Sequence, residues 1–297
     1  MPYKIAIASG KGGTGKTTVS VNLHHFLNQS LQINTLLVDC DVEEPNDRLF
    51  FPEVKEIRSE EIFQMVASIK NDACTYCRKC VEYCEFNAIT VIPPVEYTKI
   101  DPSLCHSCGA CFIACQDDAI EEIPNLIGYF KEFTTANHNT ICEGQLKIGS
   151  PMQTTLIREI KKKVGDQAEV IIYDAPPGTS CPVVETVSDA DYIILVSEPT
   201  PFGLHDLKLT VELLNEIKKP FGVVINKAGL GFAKTHEYLE RENIELIGEI
   251  PFSKDYASQY AQGQILAHIT TEIQTIYKNI ADSALKNMQT YERNHHS

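Results

Sequence analysis

The chain has 297 residues, of which 43% are hydrophobic and 22% charged, and its formal net charge is -14. This composition is typical of a globular protein with one large domain or two smaller ones. The acidic balance argues against nucleic acid as a main partner, and no apolar stretch approaches the roughly 18 residues that span a bilayer. No signal peptide precedes the first apolar run, so we expect a cytoplasmic protein without a membrane partner.

The first predicted strand, residues 5–8, leads through a glycine-rich stretch into a segment with apolar residues at helical spacing. Residues 10–17 read GKGGTGKT, the pattern of a phosphate-binding loop between a strand and a helix. In such a loop, backbone N–H groups surround a triphosphate, Lys16 reaches the β and γ oxygens and the Thr17 hydroxyl holds Mg²⁺. The residues predicted to contact nucleotide here are Gly10, Gly12, Gly13, Thr14, Gly15, Lys16, Thr17 and Thr18.

Lys11 places a second lysine near the start of this loop. The form Lys-Gly-Gly-x-Gly-Lys-Thr resembles the deviant P-loop of the MinD/ParA and nitrogenase iron protein class of ATPases. In that class the extra lysine reaches the partner subunit's nucleotide. The resemblance therefore implies that Lys11 acts across a dimer and that ATP binding is coupled to dimerisation. The alternative is an exposed lysine with no role across an interface.

A second buried strand, residues 35–38, ends at Asp39-Cys40-Asp41. In the resemblance this is switch I, where Asp41 matches the carboxylate that positions or activates the attacking water. Asp39 would lie nearer the loop lysine and the metal. Either carboxylate could instead cap a helix or a turn.

Two copies of one cysteine pattern, 31 residues apart, then interrupt the alternation of strands and helices. Because the cytosol keeps thiols reduced, so many cysteines indicate metal binding rather than disulfides. The spacing Cys-x2-Cys-x2-Cys-x3-Cys is that of a bacterial ferredoxin with two [4Fe-4S] clusters, in which each fourth cysteine serves the other cluster. This rule assigns one cluster to Cys74, Cys77, Cys80 and Cys115, and the other to Cys105, Cys108, Cys111 and Cys84.

A pair of four-cysteine zinc sites is the competing interpretation of these cysteines. Zinc needs only two CxxC pairs for each site, which leaves the third cysteine of each run and the displaced fourth unexplained. The sequence also departs from the ferredoxin pattern, because Glu85 and Gln116 stand where proline usually follows the fourth cysteine. That departure leaves the turn geometry and the reduction potentials open.

Beyond the cysteines the alternation resumes, with strands predicted at 140–148, 170–173, 192–196, 221–225 and 244–250. Continuous apolar strands separated by helices indicate a parallel sheet covered on both faces. The strand at 170–173 runs into Asp174-Ala175-Pro176-Pro177-Gly178, which looks like switch II of Mrp-type ATPases and MinD. The resemblance makes Asp174 the Walker B contact to Mg²⁺ and Gly178 a sensor of the γ-phosphate. It also implies that Asn226 and the loop at Pro251 contact adenine.

Three cysteines, Cys40, Cys142 and Cys181, lie outside the repeated pattern. We interpret them as small buried thiols, because no CxxC pair remains to bind a cluster that bridges a dimer. Near the end of the chain, apolar residues 269, 273, 276, 280 and 284 predict a helix packed on the sheet rather than a membrane-binding tail. Residues 294–297 are expected to be disordered.

Together these motifs resemble MinD-superfamily P-loop ATPases with a ferredoxin domain inserted after switch I. We predict an α/β fold with a discontinuous nucleotide-binding domain, residues 1–60 and 136–297, whose mostly parallel sheet carries helices on both faces. Residues 61–135 are predicted to form a small inserted α+β ferredoxin-like domain. The expected cofactors are ATP, Mg²⁺ and two [4Fe-4S] clusters.

The first functional hypothesis is ATP hydrolysis coupled to electron transfer, with Lys11, Lys16, Asp41 and Asp174 as the catalytic residues. The expected partners are a second copy or a related ATPase in a dimer, and a redox partner or cofactor-acceptor protein. One alternative is iron–sulfur or metallocofactor assembly, as in Mrp-type carriers. Another is spatial organisation of the MinD/ParA kind.

Overall fold

The computed structural model describes residues 1–51, 53–137, 139–166, 168–263, 270–286 and 288. The predictions for residue 269 and for residues 294–297 lie outside these ranges. The chain divides into two compact units. The first, the nucleotide unit, comprises Met1–Ser59, Phe130–Gln145 and Ile157–Ser297. The second, the cysteine unit, comprises Glu60–Tyr129 and Leu146–Leu156.

The strands are β1 (Tyr3–Ala8), β2 (Thr35–Asp39), β3 (Lys55–Ile69), β4 (Ile89–Ile92), β5 (Tyr97–Ile100), β6 (Ile120–Thr134), β7 (Thr140–Leu146), β8 (Val170–Asp174), β9 (Tyr192–Ser197), β10 (Phe221–Ala228) and β11 (Leu246–Pro251). The helices are α1 (Lys16–Gln29), α2 (Lys79–Glu82), α3 (Ala110–Ala114), α4 (Gln153–Val164), α5 (Cys181–Val187), α6 (Pro201–Glu216), α7 (Lys234–Arg241), α8 (Lys254–Ala261) and α9 (Thr271–Leu285). Short 3-10 helices lie at Asp47–Phe50 and Pro93–Val95.

The main sheet has the strand order β11-β10-β9-β1-β8-β2-β7-β6-β3. Every pairing from β11 to β7 is parallel. Every residue of β2, β8 and β9 is buried, as expected for parallel strands whose two faces are covered. The prediction of an α/β fold with a mostly parallel sheet is therefore confirmed.

Two long strands, β3 and β6, were not predicted. Each has 15 residues, and each is divided between the two compact units. The first half of β3 is polar and largely exposed, and buried residues alternate with exposed ones only from Ile62 to Val66. Because its charged half lacks the apolar run of a buried strand, the sequence pattern did not reveal it.

The core of the nucleotide unit joins β-strand residues to one face of α1 and of α9. The predicted C-terminal helix is present, and its buried residues include Ile273, Tyr277, Ile280 and Ala284. Its position is fixed further by the Tyr3 hydroxyl, which donates to the Ala284 carbonyl at 3.0 Å. These contacts confirm the prediction of a packed helix. Within the described ranges, no helix is both long and apolar enough to cross a membrane.

The cysteine unit contains an antiparallel pair of strands, β4 and β5, and the short helices α2 and α3. Its apolar core is small and consists of Val66, Ala88, Ile89, Val91 and Cys105, with further cysteines packed against it. At three positions the backbone has a positive φ in both copies of the cysteine repeat, and the two members of each pair are 31 residues apart. The pairs are Tyr76 and Ser107, Arg78 and Gly109, and Asn87 and Asp118. The repeat in the sequence is therefore also a repeat of backbone conformation.

Candidate functional site

The phosphate loop lies between β1 and α1, as predicted. Gly13 and Gly15 have φ values of 76° and 97°, in the left-handed region that glycine adopts without strain. A side chain at Gly15 would collide with the Asn226 amide, and one at Gly10 would meet the backbone of Asp206. Conformation therefore favours glycine at Gly13 and Gly15, and the close approach of neighbouring groups favours it at Gly10 and Gly15.

The end of β8 meets this loop. The Thr17 hydroxyl donates to Asp174 Oδ2 at 2.9 Å, and Lys16 is buried in the first turn of α1. The Gly178 N–H donates to the Ser9 carbonyl at 2.9 Å, which ties the predicted γ-phosphate sensor to the loop. Four predicted site residues from two distant parts of the sequence are therefore brought together.

Asp39 organises the segment that follows β2. Its carboxylate accepts backbone N–H bonds from Asp41 at 3.0 Å, Asn46 at 2.7 Å and Asp47 at 3.1 Å. Burial raises the pKa of Asp39, as does the charge of Asp174, although these three N–H groups act in the opposite direction. Asp39 therefore shapes the loop that would lie beside a nucleotide.

Asp41 is less enclosed than Asp39. Burial raises the pKa of Asp41 to about 6, while the charge of Lys16 acts in the opposite direction. A carboxylate with a pKa near neutrality can accept a proton from water or hold water in place by hydrogen bonding. The position of Asp41 beside Lys16 is compatible with the predicted water-positioning role.

Asp47 is a site residue that the sequence analysis missed. Ligand atoms of Asp39, Asp47 and Asp174 all lie within 4.8 Å of one another, and all three residues are buried. Both Asp47 carboxylate oxygens and Asp174 Oδ1 are buried without a hydrogen-bond donor among the described residues. Carboxylates are preferred ligands of Mg²⁺, so this end of the site fits the expected metal. Several acidic residues follow β2, and the sequence does not distinguish the one that turns inward.

Lys11 forms an ion pair with Glu198 of the same chain, at 2.5 Å. Lys227 also contacts Glu198, at 3.0 Å, and its ammonium donates to the Gly13 carbonyl at 3.1 Å. Burial alone would raise the pKa of Glu198, but the two lysines outweigh it and lower that pKa. The role of Lys11 across a dimer stays a prediction. Glu198 was missed, although its place just after β9, at the carboxyl end of a parallel strand, is where ligands commonly bind.

Asn226 and Pro251 lie at the ends of neighbouring strands. The Asn226 amide donates to the Thr14 carbonyl at 2.7 Å, so its contact here is to the phosphate loop. Pro251 pairs in register with Ala228. Their predicted contacts with adenine stay predictions. Thr18 is buried, and its carbonyl accepts a hydrogen bond from the Asn22 side-chain amide at 2.7 Å.

The eight cysteines of the repeat surround two separate cavities in the cysteine unit. Cys74, Cys77, Cys80 and Cys115 line one cavity. Cys84, Cys105, Cys108 and Cys111 line the other. Each cavity thus receives three cysteines from one copy of the repeat and the fourth from the other copy, which is the crossed arrangement that the spacing predicts.

Contacts between the two copies hold each displaced cysteine in position. Near Cys115, the Thr75 hydroxyl donates to Asp117 Oδ2 at 2.7 Å and the Lys79 ammonium donates to Gln116 Oε1 at 2.6 Å. Gln116 therefore makes a specific contact at the position where proline usually stands. At the equivalent place in the other half, the rings of Phe86 and His106 stack with centroids 3.9 Å apart.

The cysteine sulfurs are not gathered as closely in this structure as they would be around a bound zinc ion. In a tetrahedral site with Zn–S bonds of about 2.3 Å, sulfurs are about 3.8 Å apart. In the part of the chain that the structure describes, the only trio of potential ligands lying within 4.8 Å of one another consists of aspartates.

Backbone groups are already directed at two of the sulfurs. The Tyr76 N–H donates to Cys74 Sγ at 3.4 Å, and the Ala119 N–H donates to Cys115 Sγ at 3.3 Å. Burial raises the pKa of Cys80 to about 11. The pKa of Cys111 is also raised, mainly by burial and secondly by the charge of Cys105. Because metal ligation requires thiolates, a positively charged metal centre is needed to deprotonate these groups.

Of the three cysteines outside the repeat, Cys40 and Cys142 are buried, as predicted. The same prediction is wrong for Cys181, which is exposed. Cys181 is the first residue of α5, and this end of the helix faces solvent next to the switch II segment.

The parallel sheet and the phosphate loop define a P-loop nucleotide-binding protein. The sequence profile of the CobQ/CobB/MinD/ParA nucleotide binding domain matches residues 5–266. This chain therefore belongs to that family, and it is an ATPase of the MinD/ParA type.

Known proteins resemble the chain over most of its length. An uncharacterized protein of Methanocaldococcus jannaschii is 36% identical over 228 residues, which are 76% of this chain and 79% of the relative. The iron-sulfur cluster carrier protein of Pyrococcus furiosus is 25% identical over 270 residues, or 84% of this chain and 74% of the carrier. The septum site-determining protein MinD of Pyrococcus horikoshii, complexed with Mg-ADP, has a TM-score of 0.58 and 17% identity, covering 95% and 96% of the two chains. That last similarity establishes the fold alone.

Proposed function

We propose that this protein is a Mg²⁺-dependent ATPase that carries two [4Fe-4S] clusters and couples nucleotide-driven changes to electron transfer to a partner protein. The observation that carries the proposal is the crossed set of eight cysteines around two cavities. It occurs in the same chain as a complete phosphate loop. The spacing of the cysteines in the sequence and their crossed arrangement are those expected for two cubane clusters.

The chain's own residues account for ATP hydrolysis. The loop amides bind the phosphates, and Lys16 contacts the oxygens on which charge develops as water attacks the γ-phosphate in line. Thr17 and Asp174 would hold Mg²⁺, which neutralises phosphate charge when bound. Asp41 positions the attacking water, and Lys11 of a second subunit adds positive charge. Since Lys11 pairs with Glu198 within one chain, ATP-driven dimerisation has to break this ion pair.

The cysteine unit supplies the redox function. Cys74, Cys77, Cys80 and Cys115 would hold one cluster, and Cys84, Cys105, Cys108 and Cys111 the other. Bound clusters supply one-electron transfer at potentials tuned by hydrogen bonds to sulfur. Cys77 and Cys108 are exposed, so each cluster has an edge near solvent where a redox partner can approach. The segment containing Asp39 and Asp47 continues directly into β3, which gives a covalent route from the nucleotide to the cluster unit.

Metal content and activity test this proposal together. We expect anaerobically purified protein to contain about eight iron and eight sulfide per chain, as two [4Fe-4S] clusters require. It should also hydrolyse ATP only when Mg²⁺ is present. Zinc in place of iron after anaerobic reconstitution, or clusters without any ATP hydrolysis, would overturn the proposal.

A second candidate function is the assembly or delivery of iron–sulfur clusters. It is favoured by the similarity to the iron-sulfur cluster carrier of Pyrococcus furiosus and by the exposed Cys181 next to switch II. This function predicts that iron and sulfide move from the protein to an apo-acceptor in an ATP-dependent way, and that Cys181→Ser slows the transfer. Retention of all iron in the presence of an apo-acceptor excludes the carrier role.

A further inference from the structure

Asp47 has no role in the ATPase reaction as proposed above, yet it is completely buried beside Asp174. We propose that Asp47, together with Asp174 and Asp39, forms a divalent-cation site beside the phosphate loop that binds its metal before any nucleotide arrives. In ordinary P-loop enzymes the metal is held by the loop Ser or Thr, the Walker B carboxylate and the nucleotide phosphates. A third carboxylate would allow the protein to bind the metal without the nucleotide phosphates.

The inward position of Asp47 is fixed by its neighbours. Its N–H donates to Asp39, and it begins the 3-10 helix Asp47–Phe50, whose last residue packs in the core. The next residue, Arg48, pairs with buried Glu143 at 3.0 Å. Asp47 therefore cannot turn toward solvent without disturbing the Phe50 packing and the Arg48 ion pair.

The carboxylates of this cluster differ in what already binds them. Asp39 accepts three backbone N–H bonds, whereas both oxygens of Asp47 and Oδ1 of Asp174 have no donor among the described residues. No ion pair within 4.0 Å joins these carboxylates to a lysine or arginine of the described ranges, although the charge of Lys16 acts to lower the pKa of Asp174. Adjacent buried carboxylates are strongly unfavourable unless a proton or a cation is shared between them. A cation at this position would be shared by Asp47 and Asp174.

The donor set indicates which cation would bind. Asp47 and Asp174 supply oxygen ligands, and the Thr17 hydroxyl lies 2.9 Å from Asp174 Oδ2. Hard oxygen donors favour Mg²⁺ or Mn²⁺ over metals that prefer nitrogen or sulfur. Mn²⁺ is therefore a suitable probe, because its binding can be followed by the loss of the EPR signal of the free ion.

The test uses the oxidised, cluster-containing protein without nucleotide and titrates it with Mn²⁺ alone. We expect one Mn²⁺ per chain in the wild type and at least about 10-fold weaker binding in Asp47→Asn. The matched control is Glu43→Gln, which removes the same charge from an exposed residue of the same loop and should bind Mn²⁺ like the wild type. Thermal unfolding gives a second readout, in which Mn²⁺ raises the Tm of the wild type and of Glu43→Gln but not of Asp47→Asn. This readout also shows whether Asp47→Asn is folded.

No Mn²⁺ binding without nucleotide, or equal binding by Asp47→Asn and the wild type, would overturn the inference. The location of the site rests on the proposed ATPase function, but the two fail in different ways. If the protein hydrolyses ATP and binds Mn²⁺ only with nucleotide, the inference is wrong and the ATPase stands. If Mn²⁺ binds through Asp47 and no ATP is hydrolysed, the proposed function is wrong and the metal site stands.

Discussion

The nucleotide unit and the cysteine unit are stabilised in different ways. In the nucleotide unit, buried strands pack against α1 and α9, and the site residues are positioned by hydrogen bonds from the protein itself. The cysteine unit has a small apolar core that includes Cys105 and packs against Cys80, Cys84 and Cys111. The difference indicates that the nucleotide site is organised before its ligand binds, whereas the cysteine unit would depend for its stability on the clusters proposed above.

Removing the clusters is expected to produce the largest difference in stability between the two units. A small core provides little stability, and metal-binding energy is folding energy in such units. We expect anaerobic chelation of iron to unfold the cysteine unit while the nucleotide unit still binds ADP. Hydrogen exchange should show lost protection in β4 and β5 and retained protection in β1 and β8. Unchanged protection of β4 and β5 in the apo protein would contradict this prediction.

Substitution at the phosphate loop should impair the nucleotide unit and leave the cysteine unit unchanged. Lys16→Ala is expected to lower kcat by about 10² or more, because it removes a preorganised charge from the developing phosphate oxygens. Iron content and the thermal stability of the cysteine unit should not change. The control is Lys278→Ala, which removes an exposed lysine from α9. Normal hydrolysis by Lys16→Ala would show that Lys16 is not needed for the reaction. Loss of iron from this variant would show that the two units are not independent.

Lowering the pH should reduce the stability of the nucleotide unit through His24. Burial lowers the pKa of His24 to about 4 from 6.5, and the ring contacts the Thr35 carbonyl at 3.0 Å. Between these values the unfolded chain binds a proton that the folded chain does not. His24 should therefore contribute a loss of about 3 kcal/mol of unfolding free energy as pH falls from 6.5 to 4, with no further loss below. Denaturant unfolding of wild type and His24→Gln at several pH values measures this term, and parallel pH profiles for the two proteins would contradict it.

Double cysteine substitutions test which cysteines of the cysteine unit bind the same cluster. The proposed crossed ligation would place Cys115 and Cys77 on one cluster and Cys108 on the other. Cys115→Ala/Cys77→Ala should therefore lose about half of the iron, and Cys115→Ala/Cys108→Ala nearly all of it. Iron analysis after anaerobic reconstitution distinguishes the pairs. The reverse result would mean that each copy of the repeat binds its own cluster.

How far the sequence predicts this protein depends on the kind of signal. The phosphate loop, Asp174 and the buried parallel strands were predictable, because local patterns of glycine and apolar residues specify them. The long strand β3 was not, because its exposed polar half lacks the apolar run that the prediction uses. In β6, Pro124 stands ahead of the apolar residues 126–130, and proline is unusual inside a strand. Asp47 and Glu198 were missed for another reason. Their roles arise from contacts with residues distant in sequence, namely Asp174 and Lys11.

On the function proposed above, nucleotide at the phosphate loop changes the redox behaviour of the clusters. The most direct test is an anaerobic redox titration followed by EPR, with the protein saturated first by Mg-ADP and then by a non-hydrolysable ATP analogue. We expect the midpoint potentials of the two clusters to differ between the two nucleotide states, and the difference to disappear in Lys16→Ala. Identical midpoint potentials in both nucleotide states, in protein that binds both nucleotides, would contradict ATP-gated electron transfer.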